Sequence, residues 1–285
     1  MAQIRHRQIA VDGLAIHVAE TGPDDAPAIV LLHGWPQDGS AFAGVMAEFG
    51  DGVHAIAPDL PAIGRSRGAA RSYDKTTLAG HIRALVAMLG LGRVILVGHD
   101  VGGMIVYAYL RAYAAELRAA VIMDVAIPGI DPWQEVIRNP HIWHFAFHAI
   151  PKLPETLVNG HEGPYFDFFF DALAGPNGIR PDVRARAVAA YARDESLRAG
   201  FDFYRAFPKD EADNRATAGH SLDTPVLYIR GDHETGHPEQ YVAGLRAAGL
   251  TNLALATIAD CGHFAPDEQP AAVAATLRRF AEEHR

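Results

Sequence analysis

The ten residues "VILVGHDVGG" (94–103) constrain the fold more than any other stretch of this chain. A short apolar run leads into a Gly-His-Asp-Val-Gly turn, and a further glycine opens a helical pattern. In such a strand–turn–helix elbow the central side chain stands above the end of a sheet, with glycines on either side for the tight turn. Serine is usual at the centre; here it is Asp100, between Gly98 and Gly102. A serine hydroxyl needs a base before it can attack, whereas a carboxylate is ionised at neutral pH.

With "RVILVGHD" (93–100) itself, six runs share the form, the others being "AIVLLHGWP" (28–36), "HAIAPDLP" (54–61), "AAVIMDVA" (119–126), "PVLYIRGD" (225–232) and "LALATIADCGH" (253–263). Runs that are apolar throughout and end in Gly, Pro or Asp are expected of strands covered on both faces. Helical periodicity fills 76–90, 102–117 and 270–285, so the expected class is α/β, a mostly parallel sheet with helices on both sides. Chemistry in such sheets gathers at the C-terminal strand ends, which carry His33, Asp59, Asp100, Asp124, Asp232 and His263. Before the first of these runs, "MAQIRHRQIAVDGLAIHVAE" reads as a hairpin turning at Asp12-Gly13. From Asp131 to His220 the rhythm breaks into aromatic-rich helical text. We read 1–130 and 221–285 as the core and 131–220 as an inserted helical cap.

Composition excludes several classes. A net charge of −9 with no basic stretch argues against nucleic acid and acidic membrane surfaces as partners. Cys261 is the single cysteine, so no internal disulfide can form. No apolar run is long enough for a signal peptide or a transmembrane span, which makes the cytoplasm the expected location. His141, His144 and His148 share one face if their segment is helical, but no acidic residue joins them. Neither a metal nor an organic cofactor is expected.

The order "HGWP", "GHDVGG", "WHFAFH", "FDFYRAFP", "CGHFAPDEQP" resembles the α/β-hydrolase fold from about residue 8 onward, with an eight-stranded sheet. Within it the chain resembles epoxide hydrolases that use a His/Tyr ring-opening pair, and their dehalogenase relatives. The resemblance implies that Asp100 attacks an epoxide carbon and forms an ester. His263, held by an acid, would then activate the water that cleaves it. The acid follows the sixth strand in one branch of these families and the seventh in another. "MDVAIPG" points to Asp124, while "GDHETG" offers Glu234 or Asp232. The "HGWP" loop implies an oxyanion hole from the amides of Trp35 and Val101, with His33 and Pro36 shaping the turn. His144 and Tyr204 match the ring-opening pair, with Tyr165 as a reserve donor.

Two departures separate the chain from the dehalogenases. Fluoroacetate dehalogenases carry arginines where this chain has Val101 and Met104, and haloalkane dehalogenases usually place a tryptophan at Val101. Both favour an epoxide, and the cap aromatics Trp143, Phe145, Phe147, Phe168 and Phe169 suggest an apolar or aromatic one. Dehalogenation by the same aspartate is the alternative reaction. A hydrolase fold kept only to bind a small molecule is the non-enzymatic alternative. The oligomeric state is not fixed by the sequence, and a homodimer is allowed. Ala62 stands in "DLPAIGRS" where these families often have glycine.

Overall fold

A computed structural model describes residues 3–284. The elements are β1 (Arg5–Val11), β2 (Leu14–Thr21), β3 (Ala28–Leu32), α1 (Ala43–Phe49), β4 (His54–Pro58), α2 (Lys75–Met88), β5 (Val94–His99), α3 (Val101–Tyr113) and β6 (Leu117–Met123). Then come α4 (Trp133–Arg138), α5 (Trp143–Ala149), α6 (Leu153–Val158), α7 (Glu162–Leu173), α8 (Pro181–Tyr191), α9 (Asp194–Arg205) and α10 (Phe207–Thr217). The chain closes with β7 (Val226–Gly231), α11 (Pro238–Ala247), β8 (Leu253–Ile258), α12 (Ala265–Glu268) and α13 (Pro270–Glu283).

The eight strands form one sheet in the order β1-β2-β4-β3-β5-β6-β7-β8. β1 and β2 pair antiparallel across Asp12-Gly13, β2 joins β4 antiparallel, and every later pairing is parallel. Successive residues of one strand feed opposite cores, as a period of two requires. Ile29 and Leu31 of β3 pack with Val45 and Phe49 of α1 and Leu277 of α13. Val30 and Leu32 enter the other core with α2 and α3. That is why the central strands read as unbroken apolar runs. β8 lies at the sheet's edge with four exposed or half-exposed residues in a row, 254–257 of LALATI.

The helical segment between β6 and β7 covers the C-terminal end of the sheet, and it is fastened to the core by polar contacts. The Lys75 backbone N–H donates to Asp210 Oδ1 at 2.7 Å, and its ammonium donates to Asp210 Oδ2 at 2.8 Å and the Phe203 carbonyl at 2.6 Å. A second attachment accounts for Ala62. That residue has φ +66°, where an L side chain costs about 1–2 kcal/mol. Its carbonyl accepts from Ser196 Oγ at 2.6 Å and from Arg193 at 2.7 Å, so contacts to α9 and its N-cap hold the strained turn. No helix among the described residues is long and apolar enough to cross a membrane.

Candidate active site

Asp100 sits between β5 and α3 with φ +51° and ψ −121°, a backbone conformation rarely populated by non-glycine residues. Close approach on both sides requires glycine. A Cβ on Gly102 would lie 2.2 Å from the Leu32 carbonyl oxygen, and one on Gly34 would lie 2.4 Å from Asp100 Cβ. The loop after β3 can therefore close onto the carboxylate. The Trp35 amide donates to Asp100 Oδ1 at 2.9 Å, and the Val101 amide adds to the pull that keeps this carboxylate ionised. His33 supports the loop, its Nδ1 2.9 Å from the Gly34 carbonyl and its Nε2 accepting from the Leu60 amide at 3.0 Å.

His263 follows β8, and its Nε2 lies 3.8 Å from Asp100 Oδ2. On its other side Nδ1 donates to Glu234 Oε1 at 2.6 Å. The carboxylate on Nδ1 is thus Glu234, three residues past β7, and not Asp124 as expected from the motif after β6. The reason lies in Asp124's backbone. With φ +48° it turns Oδ1 toward β7, where it accepts the Gly231 amide at 2.8 Å. Its Oδ2 is buried without a hydrogen-bond partner. Asp232, the third candidate, accepts the Cys261 amide at 3.0 Å from an exposed position and braces the loop leading to His263.

The charges follow this arrangement. Burial lowers the His263 pKa, but the hydrogen bond to Glu234 and the charges of Glu234 and Asp100 outweigh it and raise it to about 9. Burial raises the Asp100 carboxyl above its usual range, with His263 and the two amides pulling the other way. Burial also works against an ionised Glu234, yet His263 and Arg230 hold it below the ordinary value. Arg230 donates to Glu234 Oε2 at 3.0 Å and stacks over the Tyr241 ring. Asp124 is pushed well up, first by burial and then by Glu234's charge. It therefore stands beside the His–Glu pair as a neutral acid. Arg230 was not anticipated, since "VLYIRGD" reads simply as a strand.

Asp100 and His263 open onto a cavity of about 120 Å³ roofed by the helical segment, with His144, Tyr204, Phe145 and Phe169 in its wall. The His144 and Tyr204 rings are 5.8 Å apart. Burial, with a smaller effect from His263, holds His144 down to about 3, so the ring is neutral. Burial and then Asp100's charge keep the Tyr204 hydroxyl protonated. Tyr165 does not line the cavity; its hydroxyl lies 2.6 Å from His148 Nε2. Phe145 and Phe169 of the five cap aromatics reach the cavity wall, whereas Trp143 and Phe168 are largely exposed. Val101 is buried, and Met104 lines the cavity.

His141, His144 and His148 do not converge. Among the described residues the one grouping with metal-ligand spacing is Glu20, Asp24 and His54. Arg7 and Arg5 already neutralise its carboxylates, at 2.6 Å from Glu20 and 2.5 Å from Asp24.

Comparison with known proteins agrees with this architecture. The family model described as alpha/beta hydrolase fold matches residues 27–270. A soluble epoxide hydrolase of Corynebacterium sp. is 28% identical, covering 98% of this chain and 97% of its own. The crystal structure of Cfl2 from Burkholderia cenocepacia superposes with a TM-score of 0.88 at 34% identity, over 99% of this chain and 96% of that one. The epoxide hydrolase CorEH, solved without ligand, has a TM-score of 0.88 at 26% identity, covering 99% of this chain and 100% of its own.

Proposed function

Because the chain belongs to the α/β-hydrolase fold family, we propose that it is a hydrolase that opens an epoxide to a vicinal diol through an ester on Asp100. One observation carries this reading. The carboxylate at the elbow, held by the Trp35 amide, faces the same cavity as a neutral imidazole and a phenol from the helical segment.

In the first half-reaction Asp100 Oδ2 attacks an epoxide carbon and the C–O bond breaks. His144 and Tyr204 donate to the departing oxygen, and neutral donors of this kind stabilise a developing alkoxide. In the second, His263 Nε2 takes a proton from water as that water attacks Asp100 Cγ. The amides of Trp35 and Val101 hold the ester carbonyl oxygen while Glu234 stabilises the imidazolium. The bond from Asp100 Cγ to the diol oxygen then breaks and that oxygen takes the imidazolium proton; the acid proton left on Asp100 replaces the one Tyr204 gave to the alkoxide, and the diol leaves. The segment 131–220 acts as the cap that carries the ring-opening pair. The relatives named as epoxide hydrolases support this substrate class. The cavity is somewhat smaller than the roughly 150 Å³ that holds benzene in an engineered protein core. It favours a small, uncharged epoxide, because Arg230, the one permanent cation in its wall, is already paired with Glu234.

Intact-protein mass spectrometry of a His263→Gln variant tests the proposal. After propylene oxide, small enough for this cavity, the expected gain equals the whole epoxide, and Asp100→Asn shows none. A gain only from a reactive haloalkane, equal to substrate minus hydrogen halide, would assign dehalogenation instead. No adduct from a panel of both classes would leave a binding protein.

The pH dependence follows from the charges. Forming the ester removes Asp100's charge, one of those holding His263 at about 9. The imidazole's pKa then falls, and the free base appears at lower pH. In single-turnover measurements the hydrolysis rate should rise with pH and level off below about 9, while ester formation lacks that rise. A hydrolysis rate independent of pH between 6 and 9 would remove His263 from the role of base.

A further inference from the structure

Behind the cavity, three residues far apart in sequence form a chain that ends on His263. Gln37 and His99 are buried, and the Asp267 side chain is 6% exposed. Gln37 Nε2 donates to Asp267 Oδ2 at 2.7 Å, and Gln37 Oε1 lies 3.1 Å from His99 Nδ1. His99 Nε2 lies 2.6 Å from the His263 carbonyl oxygen. A carbonyl only accepts, so Nε2 must carry a proton. With an amide oxygen against Nδ1, that atom must carry one too, and His99 would be a fully buried cation. Burial opposes this, as do the neighbouring His263 and His33 rings, and together they hold His99 well below its usual value.

Turning the Gln37 amide over, an exchange of O and N, removes the conflict if Asp267 keeps a proton. Asp267 Oδ2–H then donates to Gln37 Oε1, Gln37 Nε2–H to His99 Nδ1, and His99 Nε2–H to the His263 carbonyl. The number of protons is unchanged, every polar atom is satisfied, and no charge is buried. The surroundings of Asp267 suit a retained proton. Burial raises it to about 7 against the pull of Arg186, Gln37 and Arg180, with Asp38 adding to the rise. Of these, Arg186 on α8 is 3.4 Å from Oδ1.

We propose that Asp267 is a positioning residue for His263, storing a proton that Gln37 and His99 relay into an N–H bond on the His263 carbonyl. The proposal rests on His263 being the base of the proposed reaction. When the stored proton is lost, Asp267 becomes a carboxylate and the amide turns back. His99 then donates from Nδ1 to Gln37, and its bare Nε2 faces the His263 carbonyl. Two acceptors at that separation repel, and the loop carrying the imidazole shifts relative to Asp100. The sign is fixed: His263 is held at low pH and released as pH rises through the Asp267 value.

Asp267→Asn tests this, because an Asn amide donates to Gln37 Oε1 at every pH. Two readouts are needed. In 15N-labelled protein, the His99 Nε2–H resonance (assigned by its loss in His99→Gln) should fade between pH 6 and 8.5 in the wild type and persist in Asp267→Asn. This measurement involves no substrate, so it stands apart from the epoxide assignment. Over the same range the ratio of wild-type to Asp267→Asn kcat/KM should fall at least threefold, and no such change should appear when Asp267→Asn is made in a His99→Gln background. A resonance with the same pH dependence in both proteins would overturn the stored proton. Parallel kcat/KM profiles, or a ratio that still falls in the His99→Gln background, would overturn the relay to His263.

Discussion

Glu234→Gln is expected to slow ester hydrolysis by about 10³- to 10⁴-fold, or about 4–5.5 kcal/mol of transition-state stabilisation. Asp124→Asn should cost no more than about tenfold. The asymmetry follows from which atoms each carboxylate meets. Glu234 Oε1 holds the Nδ1 proton of His263 at 2.6 Å and leaves Nε2 free to accept from water. A glutamine can turn its amide nitrogen toward Nδ1, which moves the ring proton to Nε2. The imidazole is then in the wrong tautomer, and the charge that steadies the imidazolium is gone. Asp124 is a different case, because burial and Glu234's charge already keep its carboxyl protonated. Asparagine reproduces that neutral group and can still accept the Gly231 amide that Asp124 Oδ1 accepts. The measurement is single-turnover hydrolysis of the ester, separated from its formation by rapid quenching. Equal damage from the two substitutions would return the role of acid to Asp124.

This correction marks where the sequence stops being informative. Both candidate carboxylates stand at the C-terminal ends of adjacent strands, within a few residues of a glycine. Nothing in "MDVAIPG" or "GDHETG" records that Asp124 has φ +48° and turns toward β7. The central strands were legible because burial on both faces leaves no polar position within them. The elbow was legible because its glycines are required by approaches too close for any Cβ. Helix α1 passed unnoticed: seven residues, AGVMAEF, are too few to establish a period. Helix α11 has only ten. Ala62 looked like a departure from pattern, and contacts from Arg193 and Ser196, more than 130 residues away, explain it. The Asp267–Gln37–His99 chain was invisible for the same reason, since 230 residues separate the first pair. In the cap, composition gave the aromatics, but the helix faces decide that Phe169 meets the cavity while Phe168 meets solvent.

Asp210→Ala should be the most destabilising of these substitutions, at about 3–5 kcal/mol, the range for removing one member of a buried ion pair. Lys75 is 3% exposed and Asp210 2%. Burial pushes the Asp210 carboxyl upward, and its contacts with Lys75 are what pull it back. Alanine leaves the Lys75 ammonium enclosed beside the Phe203 carbonyl and the Phe207 ring, with no counter-charge. It also strips the Lys75 backbone N–H of its acceptor. The midpoint of thermal unfolding should fall by on the order of 6–10 °C, at roughly 2 °C per kcal/mol for a chain of this size. Replacing both partners, Lys75→Met with Asp210→Leu, should recover most of that loss but not all, because the Phe203 carbonyl and the Lys75 amide stay unpaired. The pair joins α2 of the core to α9 and α10, and α9 carries Tyr204. Limited proteolysis of Asp210→Ala should therefore cut first within 131–220, before the core is lost. An unchanged midpoint would mean that water reaches the ammonium, and cutting that begins in the core would mean that the pair does not latch the cap.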